Sequence, residues 1–283
     1  MIDSHHHLWT YDAADYPWIP TGSPLHADYG VGDLEAVARP HGVTGSVVVQ
    51  ARQTLAETDW LLDLAESGDF IRGVVGWVPL TEPGVGRTLD HLLDRPLLRS
   101  VRHVVQDEAD GFLDQPDFNR GLGEVTRVGL VYDILVVERQ LAETIRFVDR
   151  HPDQRFVLDH FGKPVIDNSQ PDRRGDWFDQ IGQLAERPNV WCKVSGLATE
   201  VRDAGGLQGD WTPALLRPYW DRLLETFGPG RLLFGSDWPV ALLATDYRRW
   251  VETVQQWTGG LSDDEREAIF ETNATRVYQL VEA

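Results

Sequence analysis

The chain has a single cysteine, Cys192, among 283 residues. No intramolecular disulfide can form, and this composition fits a reducing compartment. Basic residues are also scarce: 26 Lys and Arg stand against 45 Asp and Glu, a formal net charge of −19. Such a field repels phosphate backbones and argues against nucleic acid as a partner. No apolar run exceeds the length of a strand, so no segment is long enough to cross a bilayer. The opening MIDSHHHLW sets an acid and three histidines where a secretory leader has its apolar stretch. These absences describe a cytoplasmic protein with no membrane or nucleic-acid partner. Low-complexity tracts, linkers and internal repeats beyond simple alternation are missing too, which favours one domain.

What is present is material for a large core. Hydrophobic residues make up 42% of the chain and 11 of them are tryptophan, far from a disordered composition. Eight short apolar or β-branched runs read as strands: MIDSHHH, then 43–50, 71–78, 98–105, 128–136, 155–161, 189–196 and 231–238. Between most of them apolar residues recur three or four apart, as in ETDWLLDLAESG, ERQLAETIRFVDRHP and DWFDQIGQLAERP, which is the helical period. Apolar strands each followed by a helix indicate a parallel sheet. Eight such units predict an α/β fold, a single (β/α)₈ barrel over residues 1–283. TYDAADYPWIPTGSPLHADYG, residues 10–30, predicts a long loop after the first strand. Helices close the chain, with Ser262 and Glu265 as a capping box at the start of the final one. Cys192, inside the apolar NVWCKVSGL, reads as a small buried residue rather than a nucleophile.

A barrel builds its chemistry at the carboxyl ends of its strands. Asp3, His5 and His7 lie there on the first strand, Gln50 and then Arg52 on the second, and Trp77 on the third. The fourth brings Arg102 and His103, the sixth Asp159 and His160 followed by Lys163, the seventh Lys193 and Ser195, and the eighth Ser236 and Asp237. The fifth offers only Tyr132 and Asp133 in mid-run. His5 and His7 are two apart, so on a strand they share one face while His6 points to the helices. A lone strand histidine is usually a hydrogen-bonded core residue. Two on one face, with His160 and Asp237 at other strand ends, point to a site, because burying that many titratable groups is costly. Lys193 inside a strand requires a partner or a cavity.

Asp3-Ser4-His5-His6-His7 matches a D-x-H-x-H at the end of a first strand, and Asp237 in FGSDWP an aspartate at the end of an eighth. With VRHVVQDE, VLDHFGKP, VWCKVSGLATE, LLFGSDWPV and the closing NATRVYQL, the chain resembles the amidohydrolase superfamily over essentially its whole length. Within it, these segments look like the sugar-lactonase branch of L-fuconolactonase-like and L-rhamnono-lactonase-like proteins, with pyrone-dicarboxylate lactonase more distant. The resemblance implies a (β/α)₈ hydrolase of an ester-like or amide-like bond. It implies His5 and His7 as metal ligands, His160 as a third ligand or carbonyl polariser, and Asp237 as ligand and general base. The bridging lysine of two-metal members is absent from the fourth strand, where Arg102 and His103 stand instead. That departure points to a single divalent ion, or to none.

The function expected from this resemblance is the opening of an aldonolactone, such as L-fuconolactone or L-rhamnonolactone, by water. Asp237 would take the water's proton, with His160 and His103 completing the catalytic set. One Zn²⁺ suits imidazole and carboxylate ligands; in a metal-independent reaction, His5, His7, His103 and Arg102 would act as donors to the oxyanion. Gln50, Arg52, Tyr29, Trp77, Arg102, Lys163 and Trp238 are the candidate sugar contacts. For Trp77 and Trp238 simple packing, and for Lys163 a solvated loop charge, are the competing accounts. A metal-dependent decarboxylase of the same superfamily is the alternative activity. The acidic surface is compatible with a homo-oligomer.

Overall fold

A computed structural model describes residues 1–170 and 175–280. Eight parallel strands make up the sheet: β1 (Ile2–His6), β2 (Gly45–Val49), β3 (Ile71–Gly76), β4 (Leu98–His103), β5 (Val131–Ile134), β6 (Phe156–Leu158), β7 (Val190–Val194) and β8 (Leu232–Phe234). Each lies beside the next in sequence order. The sheet closes just beyond β8, where the Asp237 N–H donates to the His5 carbonyl at 2.8 Å and the His7 N–H to the Trp238 carbonyl at 2.7 Å. Between and after the strands come Val31–Ala38, Leu55–Glu66, Val85–Leu92, Pro116–Val128, Leu141–Arg150, Trp177–Ala185, Pro213–Phe227 and Tyr247–Trp257. This is the (β/α)₈ barrel that the alternation predicts. The strands are shorter than the apolar runs, because the run ends continue into the loops; 128–136, for example, yields only Val131–Ile134.

Helix starts follow local chemistry. Thr54, Thr212 and Asp246 each accept a backbone N–H of the first turn, from Glu57, Leu215 and Arg249, which satisfies donors the helix itself cannot. The predicted box at Ser262 and Glu265 is formed. It opens the five-residue helix Asp263–Glu267, which runs on through a wider turn into Asn273–Tyr278. Val31–Ala38 has no counterpart in the sequence-based expectation. It buries only Leu34 and Ala38, too sparse a stripe to stand out.

The barrel interior is layered. Its amino-terminal floor is apolar: Ile2, Val47, Val49, Val75, Val131, Val157 and Leu233 pack on Val277 and Tyr278 of the last helix and on Leu280 just beyond it. Above the floor, Ser100, Arg102, Asp133, Asp159 and Lys193 are all buried. The long loop after β1 is an excursion without helix. Trp9 and Tyr29 exchange backbone hydrogen bonds of 3.1 and 2.9 Å across its base, and Trp9, Tyr16, Ile19 and Leu25 form its own small core. A short ribbon pairs Ile166–Asp167 with Val201–Arg202; runs of two residues leave no readable period.

Candidate active site at the carboxyl end of the barrel

Three imidazoles converge on one carboxylate. Asp237 Oδ1 lies 3.6 Å from His7 Nε2 and 3.8 Å from both His5 Nε2 and His160 Nε2. The two β1 rings approach to 3.2 Å between their Nε2 atoms. Strand alternation explains the pair: His5 and His7 point inward, whereas His6 points out and meets Ser46 Oγ at 3.0 Å. His160 and Asp237 are carried by turns in the left-handed region, with φ of +52° and +58°. Non-glycine residues rarely adopt that conformation, which costs of order 1–3 kcal/mol and clusters at functional sites. Gly196, at φ +65°, must lack a side chain, since a Cβ there would stand 2.5 Å from His160 Nδ1.

The other nitrogen of each ring has its own partner. His7 Nδ1 meets the Val49 carbonyl at 2.8 Å. A carbonyl only accepts, so the proton of neutral His7 sits on Nδ1 and its Nε2 presents a lone pair. His160 Nδ1 meets Ser195 Oγ at 2.9 Å; the hydroxyl can donate there, leaving a proton on Nε2. His5 Nδ1 faces a donor, Lys193 Nζ at 3.1 Å, and an acceptor, Asp159 Oδ1 at 3.3 Å. With Lys193 as its partner, His5 turns an Nε2–H toward the lone pair of His7. With Asp159 as its partner, both β1 rings turn lone pairs toward Asp237.

Burial keeps the rings neutral. It lowers His7 to about 3 and His160 to about 4, and with Lys193 it holds His5 well below the usual imidazole range. Burial also raises the Asp237 carboxyl, partly offset by His160, Lys163 and Arg102. Beneath this set lies a compensated layer. Burial would raise Asp159, but Lys193, His5 and Arg102 more than offset it and hold the carboxyl well below its ordinary range. Lys193 Nζ is 2.6 Å from Asp133 Oδ2 and 3.0 Å from Asp159 Oδ1, and Arg102 Nη1 donates to Asp159 Oδ2 at 2.9 Å. The Tyr278 hydroxyl donates to Asp133 at 2.8 Å. Lys193 thus has the partners its position in a strand demands. Asp133, which offers little signal in the sequence, is one of them. Asp3 has a third task. It accepts the N–H groups of His5 and Ser236 at 3.2 and 2.9 Å and the Tyr247 hydroxyl at 3.0 Å, which joins β1 to the turn after β8.

Above the cluster opens a cavity of about 780 Å³, reached by His7, His160, Asp237, Arg102, Arg52 and Lys163. The remaining expectations separate. Gln50 is buried, and its carbonyl accepts from Arg102 Nη2 at 2.5 Å. His103 points away from the cavity, because its neighbour Arg102 points in. It bonds Glu108 at 2.9 Å and stacks on Phe112 at 4.9 Å. Trp77 follows it outward, with Nε1 3.4 Å from His103 Nδ1. Tyr29 and Trp238 pack on each other at 5.0 Å outside the cavity lining, the Tyr29 hydroxyl donating to the Pro24 carbonyl. The structure therefore does not bring Gln50, His103, Trp77, Tyr29 or Trp238 to the cavity wall. Asp15 and Trp18 of the excursion, with Gln53, Gln106, Glu200 and Arg202, line it instead. Their loops lack a period, so only the segments VRHVVQDE, which holds Gln106, and VWCKVSGLATE, which ends in Glu200, offered a signal.

A barrel with histidines on its first strand and an aspartate after its eighth defines a class. The amidohydrolase family model matches residues 2–280, and the chain belongs to that family. It is 40% identical, over 99% of its length and 96% of the relative's, to an L-fucono-1,5-lactonase of Burkholderia multivorans. An L-fucono-1,5-lactonase of Burkholderia ambifaria is 35% identical over 99% of this chain and 95% of its own. The crystal structure of a Burkholderia multivorans amidohydrolase with bound zinc superposes with a TM-score of 0.93 at 39% identity, covering 99% of both chains.

Proposed function

We propose that the protein hydrolyses a sugar lactone to the open hydroxy acid, as one domain acting in the cytoplasm. The observation that supports this most directly is one carboxylate oxygen of Asp237 within 3.8 Å of three imidazole nitrogens on the floor of a cavity. The full-length similarity to L-fucono-1,5-lactonases gives the substrate class, an aldonolactone.

The chemistry follows from the side chains. Asp237, made more basic by burial, takes a proton from water as the water oxygen bonds the lactone carbon. The former carbonyl oxygen gains negative charge. The Nε2–H of His160 donates to it, and the nearby Arg102 guanidinium favours that charge. Collapse of the tetrahedral species breaks the ring C–O bond. The proton held by Asp237 passes to the leaving alkoxide, which completes the addition of one water. Lys193 and Asp159 fix the His5 ring and take no part in bond making.

The same donor set fits a single zinc ion. A tetrahedral ion with bonds of about 2.1 Å needs donors roughly 3.4 Å apart, and His5 Nε2, His7 Nε2 and Asp237 Oδ1 are separated by 3.2, 3.6 and 3.8 Å. His5, His7 and Asp237 would hold it and leave the fourth position open to water, with His160 beside it rather than the third ligand the resemblance implies. Bound there, zinc supplies a lower water pKa and a polarised carbonyl. The metal is tested by elemental analysis after dialysis against zinc. One equivalent is expected for the wild type, and at least a tenfold weaker affinity for His7→Ala, since about tenfold is already the loss when a mere outer-shell partner is removed. The function is tested with a lactone panel and a pH indicator. Asp237→Asn should lower kcat by about 10²–10⁴; retention of near-normal kcat removes Asp237 as the base.

A further inference from the structure

We propose that Asp15 and Glu200 set the charge preference of the cavity. By holding Arg52 and Lys163 they reserve it for uncharged lactones and turn away lactones that bear a carboxylate. This rests on the lactonase reading and deepens it by assigning two residues to substrate selection.

Four cationic side chains reach the cavity, Arg52, Arg102, Lys163 and Arg202, and four acids face them, Asp15, Asp107, Glu200 and Asp237. Among the described residues each of those cations already has a partner. Arg52 is ion-paired with Asp15. Arg102 donates to Asp159 at 2.9 Å and to the Gln50 carbonyl at 2.5 Å. Lys163 Nζ lies 3.6 Å from Glu200 Oε1. Arg202 donates to the carbonyls of Thr199 and Val201 at 2.5 and 3.1 Å. A bound carboxylate is ordinarily gripped by a free guanidinium fork or ammonium. At Arg52 and Lys163 it must displace Asp15 or Glu200, and at Arg202, whose partners are carbonyls, it displaces no acid but still shares the cavity with Asp107, Glu200 and Asp237. Either course is unfavourable, and the protein's overall charge of −19 adds to the repulsion. Sugar hydroxyls meet no such penalty, since they can bond paired cations and the amides of Gln53 and Gln106 equally well.

The two pairs come from different strand ends of the mouth. Asp15 belongs to the excursion after β1, whereas Glu200 follows β7, beside the short ribbon. Glu200 is the more enclosed, with its side chain 14% exposed against 54% for Asp15. It therefore weighs more in the choice. The same logic disfavours a decarboxylase, whose substrate must present a carboxylate.

The test uses two lactones of the same ring and stereochemistry, one ending in a hydroxymethyl group and the other in a carboxylate. Wild-type kcat/KM should favour the uncharged lactone by at least about 30-fold, the scale of one charged hydrogen bond. Glu200→Gln releases Lys163 and should narrow that ratio at least about fivefold, through a lower KM for the carboxylated lactone. Asp15→Asn makes the same test on the other pair should the Glu200 variant not fold. Equal turnover of both lactones by the wild type overturns the inference while leaving the lactonase reading intact. A ratio unmoved in the folded variants overturns it as well. Failure to open either lactone, or any other of the panel, removes the reading on which it rests.

Discussion

Two layers of the same barrel interior make opposite use of buried polar groups. In the lower layer Lys193, Asp133, Asp159, Arg102 and Tyr278 are tied to one another at 2.6–3.0 Å. In the upper layer Asp237 stands 3.6–3.8 Å from its imidazole neighbours. Those separations exceed hydrogen-bond length, so the upper groups are not committed to one another as the lower ones are. Satisfied charges fix side chains in place; loosely opposed ones keep lone pairs and protons available. The upper groups can be left this way because each ring is held from behind at Nδ1: His5 by Lys193 and Asp159 of the lower layer, His7 by the Val49 carbonyl and His160 by Ser195.

The contrast can be broken at several points. The largest effect should come from the upper layer, where Asp237→Asn removes activity by the factor given above and leaves the fold intact, as circular dichroism and Tm would check. Next is Lys193→Met. It strands two buried carboxylates and should cost about 3–5 kcal/mol, a fall in Tm on the order of 10 °C. Adding Asp133→Asn should recover a measurable part of that loss in urea denaturation. If Lys193→Met leaves stability unchanged, the lower layer is not the support described here.

Glu57 supplies a pH-dependent comparison. It is buried, and its Oε2 accepts the N–H groups of Ala51 and Arg52 at 3.1 and 2.6 Å. Burial lifts the carboxyl from 4.5 to about 7, against the pull of those bonds. Because the folded pKa is the higher one, the proton is bound more tightly in the native state. The associated stability is complete below pH 4.5 and is lost as pH rises toward 7. Denaturation at a series of pH values should show roughly 3 kcal/mol of this slope in the wild type, and Glu57→Gln should flatten it. The smallest effect is assigned to His103→Phe, outside the cavity. Lactone kcat/KM should stay within about threefold and stability within about 1 kcal/mol.

Much of this arrangement could be read from residue order. Alternation placed His5 and His7 together and His6 apart, and β-branched runs marked every barrel strand. The same alternation, applied to Arg102 and His103, says that only one of them can face inward; reading both as site residues overlooked it. Trp77, Trp238 and Tyr29 drew notice as aromatic residues, but loop paths decide whether a ring meets a cavity or a neighbour, and loops have no period. Asp15 and Trp18 were hidden for that reason. Lys193 was legible as a charge in need of partners, while their identity depends on which strands lie adjacent.

The excursion after β1 has a consequence for how such a barrel diversifies. Its base is closed by two backbone bonds between Trp9 and Tyr29, and it packs around its own cluster of side chains. It supplies Asp15 and Trp18 to the cavity rim. A unit so enclosed can be exchanged between homologues like a cassette, giving one unaltered catalytic floor a new clientele.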